Sequence, residues 1–466
     1  MASASEQLMA NMNVGSFFKA KELQQRLLFT LLILVVYRIG TYIPIPGIDL
    51  EAFQAIFSGN SGGNEGGGAG FLIRLDMFAG GAIERLAVFA LNVMPYISAS
   101  IIMTLMKGSI PSLKELDKEG EQGRKQINQY TRYLTVLLAA FQAFGIARAL
   151  MGQEGVVINP GIFFQVSTVI TLVGGTMFLM WLGEQVTARG VGNGVSLIIF
   201  AGIVAELPRA IFQVLNLNRT GSIGGYLLLG VIVMFVALSM LIVFVERAQR
   251  RLLVQYPKRQ MAGGKTFGGE SSFMPIKLNT PGVIPPIFAS SLLLLPATAG
   301  AAFVTGGDNE WLTGLLAYIG YGSSVYLTLY ALLIVFFCFF YVPYVFKPED
   351  VADNLRKNGG FLPGIRPGAR TAEYLNYVLM RLTFIGALYV AFVCVLPEYI
   401  IAQNREIPQS VAMLIGGMSL LIIVSVTLDT VSQIQSHMVA HQYEGLIKKS
   451  RMHRSRKGVP ARGRRK

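Results

Sequence analysis

The segment GGYLLLGVIVMFVALSMLIVFV, residues 224–245, runs for 22 residues without a charged side chain. The hydrocarbon core of a bilayer is about 30 Å thick, and a helix of roughly 20 apolar residues crosses it. Because lipid offers no hydrogen-bond partners, a segment of this kind must satisfy its own backbone groups, which an α-helix does. The segment therefore predicts a transmembrane helix.

Nine further apolar stretches lie on either side of this segment, separated by polar loops. The chain of 466 residues is 53% hydrophobic and only 14% charged, and its mean hydropathy of +0.52 is well above that of a soluble domain. The ten predicted spans lie near residues 24–43, 84–106, 132–151, 162–183, 191–207, 224–245, 283–304, 324–346, 378–397 and 410–428. The sequence thus predicts an all-α membrane protein.

The first apolar stretch is predicted to be a retained span and not a signal peptide. It contains Arg38, runs into Tyr42 and Pro44, and shows no small-residue cleavage site. The two cysteines, Cys338 and Cys394, also fall inside spans, where a thiol behaves as a small hydrophobe. They predict neither a disulfide nor a metal site.

The distribution of Lys and Arg predicts that both termini are cytoplasmic. With the N-terminus inside, the outer loops hold only Arg74, Arg209, Arg219 and Arg405 of the 40 basic residues. Positive charge near span ends resists translocation, so the opposite orientation is disfavoured. Ten spans then return the basic tail, residues 429–466, to the cytoplasm.

Proline marks the second and seventh spans, with Pro95 in NVMPYISAS and four prolines in TPGVIPPIFASSLLLLP, residues 280–296. Ten spans divide into two halves of five, and an odd number per half would invert one half relative to the other. Interrupted helices at matching positions then point to a substrate path. The alternative is that these prolines only kink the helices for packing.

A Gly-rich run over residues 62–70 precedes FLIRLDMFAGGAI, residues 71–83, which is too short to cross a bilayer. A short apolar helix at membrane depth must be covered by protein, so the segment predicts a re-entrant piece. Gly80 and Gly81 would allow it to hinge. The alternative is an interfacial helix on the outer surface.

Residues for catalysis and ion coupling are missing from the predicted spans. All three histidines, His437, His441 and His453, lie in the tail, where a solvated helix face explains them better than a metal site. Carboxylates of an ion relay belong near span centres. We place the candidates at span ends, namely Glu84, Glu184, Glu206 and Asp429. This argues against an enzyme and against a proton- or sodium-coupled carrier.

Two cytoplasmic loops, residues 246–281 and 347–377, are longer than topology requires. Each mixes Arg or Lys with Tyr, Phe and Pro. This composition suits an acidic protein surface or ribosomal RNA. The shorter basic loops need be no more than topology signals.

Several motifs resemble the SecY family, the channel subunit of the general protein-secretion translocon, along essentially the whole chain. They occur in the family's order and spacing: RIGTYIPIPGID, MFAGGA, ALNVMPYISASI, EGEQGRKQINQYTRY, MFLMWLGEQVTARGVGNGVSLIIFAGIV, VFVERAQRR, PGVIPPIFASS, FFCFFY, GGFLPGIRPG and RLTFIGALYVAFVCVLPE. The resemblance implies two pseudo-symmetric inverted halves, residues 24–207 and 224–428, hinged at an external loop, 208–223. Residues 1–23 would form a cytoplasmic N-terminal segment.

The resemblance also implies a ring of aliphatic side chains that closes an hourglass-shaped pore at its waist. Such a ring excludes water and ions yet opens around a peptide without binding it. The matching positions are Val93, Ile97, Val195, Ile199, Ile287 and Ile422.

Three further sites follow from the same resemblance. Residues 71–83 would be the plug, a re-entrant helix carrying Asp76, Phe78, Gly80 and Gly81. The second and third spans would meet the seventh and eighth at a lateral gate. Its implied residues are Ser98, Ser290 and Ser291. Docking of the SecA motor or the ribosome would use Arg251, Lys258, Arg259 and Arg366.

The implied function is a passive, gated channel of the bacterial cytoplasmic (inner) membrane, without cofactor or enzymatic activity. It would pass unfolded precursor proteins outward and release apolar helices into membrane lipid, driven by SecA or the ribosome. The implied partners are SecE, SecG, an accessory insertase and SecD/SecF. The alternative is a solute transporter built on an inverted repeat. The Gly-rich insertion and the Arg-rich tail are atypical for the family.

Overall fold

The computed structural model describes residues 21–53, 79–152, 155–221, 224–256, 259–260, 266–267, 271–303, 323–403 and 416–456. Several predicted features lie outside these residues. They are the Gly-rich run, plug residues 71–78 with Asp76 and Phe78, and Lys258.

The described residues form twelve labelled helices. In chain order they are α1 Lys21–Gly40, α2 Met94–Ser109, α3 Pro111–Lys118, α4 Glu121–Met151, α5 Ile162–Arg189, α6 Gly194–Arg219, α7 Gly225–Arg247, α8 Ile284–Phe303, α9 Ser324–Val345, α10 Pro348–Lys357, α11 Ala369–Gln403 and α12 Gly417–Arg456. Leaving out the short α3 and α10, ten long helices match the ten predicted spans in order.

Eight of these helices are long and apolar enough to cross a membrane, within the part of the chain that the structure describes. The other two of these ten helices are α2, which has 16 residues, and α8, whose segment Ile284–Leu293 is apolar but shorter than a span. Counted without α3 and α10, α2 and α8 are the second and seventh helices, and they correspond to the two predicted spans marked by Pro95 and by the prolines of residues 280–296.

The second helix begins ten residues later than the predicted span, at Met94 and not at residue 84. Pro95 lies in its first turn, where the missing N–H costs nothing, but the proline ring would clash with a helix extended toward the N-terminus. The preceding turns contain two non-glycine residues with positive φ, Leu86 at 43° and Asn92 at 49°. The prediction of a continuous span from residue 84 was therefore wrong.

The loop 246–281 contains a β-hairpin that the sequence analysis did not predict. Strand β1, Gln249–Gln255, pairs antiparallel with β4, Ser271–Lys277, with Arg251 opposite Pro275. A second, two-residue pair, β2 Arg259–Gln260 with β3 Thr266–Phe267, lies between them in sequence. The protein is therefore all-α in its spans only.

The hairpin packs against the other long loop to form one unit on the predicted cytoplasmic side, which we call the cytoplasmic unit. Leu252, Val254 and Ile276 share an apolar cluster with Leu362 and Leu375. The backbone of Gln255 exchanges two hydrogen bonds with that of Phe361, at 2.9 and 3.0 Å. Because α10 and the first turns of α11 occupy residues predicted as loop 347–377, this second loop is largely helical.

The predicted external hinge, residues 208–223, is shorter in the structure. Helix α6 continues through Pro208 to Arg219, and α7 begins at Gly225. Ala210 and Val214 are buried, so packing holds this extension although Pro208 removes one backbone donor. The helical part of the first half thus extends beyond Leu207, and five residues, 220–224, separate α6 from α7.

Candidate functional site

The six predicted waist residues share one apolar cluster. Val93, Ile97, Ile199 and Ile422 are buried members of it, and Val195 and Ile287 pack against it partly buried. Val93 precedes α2, which carries Ile97, and α6 carries Val195 and Ile199. Ile287 and Ile422 come from α8 and α12 in the second half. Aliphatic side chains from both halves therefore contribute to one continuous apolar cluster.

A turn at Gly80 and Gly81, near the end of the predicted plug, packs closely on α6. Both glycines have positive φ, 64° and 78°. A Cβ atom at Gly80 would lie 2.8 Å from the Cα atom of Gly202, and one at Gly81 would lie 2.6 Å from the Oε1 atom of Glu206. Both the backbone conformation and the space at this turn require glycine.

Five charged side chains surround this turn and form what we call the Glu206 cluster: Arg38, Glu84, Arg85, Glu206 and Arg209. Glu206 Oε1 lies 3.3 Å from Arg38 Nη2 and 3.7 Å from Arg85 Nη2. Arg209 lies 3.9 Å from Glu206 Oε2 and forms a bidentate pair with Glu84. Arg38 Nη1 also donates to the Gly80 carbonyl at 2.6 Å. The cluster joins α1, α6 and the turn.

Tyr42 adds aromatic contacts to the same cluster. The guanidinium of Arg85 lies 4.3 Å from its ring centroid and that of Arg38 lies 5.2 Å away. Cation–π contacts of this kind compensate a guanidinium that has lost part of its water.

The helix that carries Glu206 is longer than the predicted fifth span, residues 191–207. Helix α6 extends to Arg219, so Glu206 is in its middle, and it is only 7% exposed. Sequence analysis missed the cluster because Arg38 and Glu206 lie 168 positions apart. The signal available in the sequence was the occurrence of Arg38, Glu84 and Arg85 near predicted span ends.

The predicted lateral gate corresponds to the surface where α8 meets α2 and α4, which we call the seam. Ser98 of α2 and Ser291 of α8 are buried, whereas Ser290 donates to the Ile287 carbonyl within its own helix at 2.9 Å. The Ser291 hydroxyl makes no hydrogen bond within the described part of the chain. Phe288 packs edge-on against Phe337 of α9 at 5.8 Å.

Within the described residues, an ion pair crosses between the halves on the side of the cytoplasmic unit. Lys347 Nζ, just after α9, lies 3.8 Å from Asp117 Oδ2 of α3, and the two side chains are 55% and 36% exposed. An exposed pair at this distance contributes little because water screens it. The halves are therefore joined here by a contact that breaks easily.

The predicted docking arginines lie on the cytoplasmic unit. Arg251 is exposed on β1 and Arg366 is exposed in the turns before α11. Arg259 lies in β2. Residues 251 and 366 belong to two loops far apart in sequence, and the shared apolar cluster brings those loops together.

The described residues contain no group of three His, Cys, Asp or Glu side chains that could hold a metal ion. The family model described as SecY matches residues 87–431. The chain belongs to the SecY family. The SecY protein translocase subunit of Rickettsia conorii is 49% identical over 446 residues, which cover 94% of this chain and 100% of that protein. The corresponding Escherichia coli K12 subunit is 48% identical over 434 residues, covering 92% and 95%.

Solved structures of SecY-type channels have the same fold. One described as the structure of a protein conducting channel aligns with a TM-score of 0.65 at 18% identity, covering 90% of this chain and 93% of that one. Canine Sec61 from a ribosome–channel complex aligns with a TM-score of 0.62 at 19% identity and the same coverage. Membership in the SecY family makes the chain a multi-pass channel subunit and not an enzyme. The solute-transporter alternative is thereby set aside.

Proposed function

We propose that this chain forms the gated pore through which unfolded secretory proteins cross the bacterial cytoplasmic membrane, with both termini in the cytoplasm. The observation that carries the proposal is the apolar cluster that joins the six waist residues from both halves. A pore closed by facing aliphatic side chains dewets and blocks ions, and it needs no specific chemistry to let a peptide pass.

The seam between α8, α2 and α4 is the proposed exit for apolar helices into lipid. Helix α8 carries no charged residue, and the hydroxyls of Ser98 and Ser291 belong to buried residues. Ser98, Ser290 and Ser291 are the proposed gate residues. The exposed Lys347–Asp117 pair crosses between the halves on the cytoplasmic side. Separating such surfaces in lipid leaves no buried charge unpaired.

The proposed plug, residues 71–83, closes the pore from outside. The Gly80–Gly81 turn that ends it is held by Arg38 and packs on α6. A solved structure that aligns with a TM-score of 0.64 is described as showing that the plug domain of SecY stabilises the closed state and maintains a membrane seal. By that likeness, we assign the same task to this segment.

The proposed partners are SecE and SecG in the membrane, SecA or the ribosome as the source of work, and an accessory insertase and SecD/SecF. Arg251, Lys258, Arg259 and Arg366 are the proposed docking residues. The support is that Arg251 and Arg366 are exposed on a single cytoplasmic unit. The structural neighbours Sec61 and Ssh1 are described in complexes with the ribosome, which supports the ribosome as a proposed partner.

Two experiments test this function. Deleting residues 71–83 should raise ion conductance of the purified protein in planar bilayers, and an unchanged conductance would remove the plug assignment.

Arg366→Glu should slow SecA-driven transport of a secretory precursor into vesicles while membrane insertion of the channel stays normal. The control is Arg356→Glu, an exposed cation of α10 in the same unit. Wild-type transport by Arg366→Glu would exclude this loop as the motor site.

A further inference from the structure

We propose that an anionic phospholipid binds in the groove between α9 and α11, with its phosphate on Arg381 and an acyl chain along the apolar walls. The groove has a volume of about 400 Å³ and is lined by Phe339 of α9 and by Tyr377, Met380, Arg381, Phe384 and Ile385 of α11. Five of its six lining side chains are hydrophobic or aromatic.

The walls of this groove face the hydrocarbon of the membrane. Tyr377, Phe384 and Ile385 are 53%, 55% and 51% exposed on a helix that is apolar enough to span a bilayer. Large apolar side chains exposed along such a helix contact lipid chains, which gives the groove an apolar occupant along its length.

Arg381 is the charged residue of the groove. Its guanidinium lies 4.3 Å from the centroid of the Tyr377 ring. No Asp or Glu oxygen lies within 4 Å of it in the described part of the chain, whereas Arg370 on the same helix pairs with Glu373 at 3.4 Å. A cation near hydrocarbon is costly without an anionic partner, and protein side chains do not supply one here.

The position of Arg381 along α11 places it at the depth of lipid headgroups. It lies twelve residues after Ala369, about 18 Å along the helix axis. The predicted span begins at residue 378, so Arg381 is one turn inside the cytoplasmic boundary and its long side chain can reach the interface. Basic pockets between transmembrane helices on the cytoplasmic side bind anionic headgroups.

The apolar walls favour a lipid over a free phosphate ion. A soluble anion would meet one cation and gain nothing from Phe339, Met380, Phe384 or Ile385. A phospholipid pairs its phosphate with Arg381 and buries an acyl chain against these side chains, which stabilises it in proportion to the buried methylenes.

The test uses the full chain in nanodiscs of phosphatidylcholine that contain a trace of photoactivatable phosphatidylglycerol. Labelling of α9 and α11 peptides is then measured by mass spectrometry. Arg381→Gln should lower this labelling about fivefold, the contribution of one basic side chain near a lipid surface. Arg381→Lys should keep most of it, and Arg370→Gln should leave it unchanged. Equal labelling of wild type and Arg381→Gln would overturn the proposal.

If Arg381→Gln does not fold, competition between lipids on the wild-type protein still tests the proposal. Unlabelled phosphatidylglycerol should displace the probe, and added phosphatidylcholine or inorganic phosphate should not. Displacement by inorganic phosphate would mean an anion site without a seated acyl chain. Displacement by phosphatidylcholine would mean an unselective lipid groove, and either result contradicts the proposal. Ile385→Trp, which fills the groove, should also lower the labelling.

Discussion

The outer side of the first half and the seam between the halves are held together by different interactions. In the Glu206 cluster, a carboxylate that is 7% exposed pairs with arginines from α1, α6 and the turn before α2. At the seam, α8 meets α2 and α4, α8 carries no charged residue, and the Lys347–Asp117 ion pair between the halves is exposed. Ion pairs are directional and costly to break when buried, whereas apolar surfaces separate into lipid at little cost. From this difference we expect the first half to move as a unit and the seam to be the surface that opens.

The largest expected effect is that of Glu206→Gln. Removing one partner of a buried pair leaves the others uncompensated, and we expect a loss of about 3 kcal/mol, the lower end of the range because the arginines keep some water. Thermal unfolding of the purified protein measures it. The control is Glu184→Gln, which breaks a half-exposed pair with Arg132 at 2.6 Å and should cost under about 1 kcal/mol. Equal melting temperatures for the two variants would contradict a special role for the cluster.

Gly81→Ala comes next, with an expected loss of about 2 kcal/mol from the positive φ and the contact with Glu206. Gly155→Ala is the matched control, because Gly155 has a φ of 85° and nothing within 4 Å of the added Cβ atom. The difference between their melting temperatures isolates the contact. If the two variants lose the same stability, the turn does not pack on Glu206 as described.

Ser291→Ala is expected to stabilise the closed seam by about 1 kcal/mol, because it removes a buried hydroxyl that lacks a partner within the described residues. The melting temperature should rise, and precursor transport should start more slowly. Ser290→Ala serves as control, since that hydroxyl already bonds within its own helix. A lower melting temperature for Ser291→Ala would show that Ser291 stabilises the structure.

The smallest effect is expected from Asp117→Asn, which breaks the exposed pair with Lys347. We expect a change within about 0.5 kcal/mol that disappears in high salt. Unfolding at two salt concentrations, with Asp353→Asn as an exposed control on α10, measures it. A loss comparable to that of Glu206→Gln would remove the contrast between the two regions.

The ten spans, their order and the two proline positions could be predicted because hydropathy and proline act locally. The start of α2 could not, since it depends on turns with positive φ at Leu86 and Asn92. The β-hairpin was missed because the partner of each strand lies about twenty residues away in a basic loop. The waist positions came from family resemblance, as single aliphatic residues do not differ from ordinary core in sequence.

The Glu206 cluster could not be predicted for a different reason. Its partners come from three segments, and only the folded first half brings Arg38 and Arg85 to α6. Because the fifth span was predicted to end at residue 207, the position of Glu206 in the middle of a longer helix was also not predicted.

Crosslinking tests most directly whether a precursor passes through the waist. Single cysteines are placed at Ile97, Ile287 and, as control, Ile170, which is 67% exposed on α5. Cys338 and Cys394 are first replaced by alanine, because both are free thiols. A stalled precursor that carries a thiol-reactive probe should form adducts at Ile97 and Ile287 and none at Ile170. The absence of adducts at both waist positions, or equal yields at all three, would contradict the pore assigned to this chain.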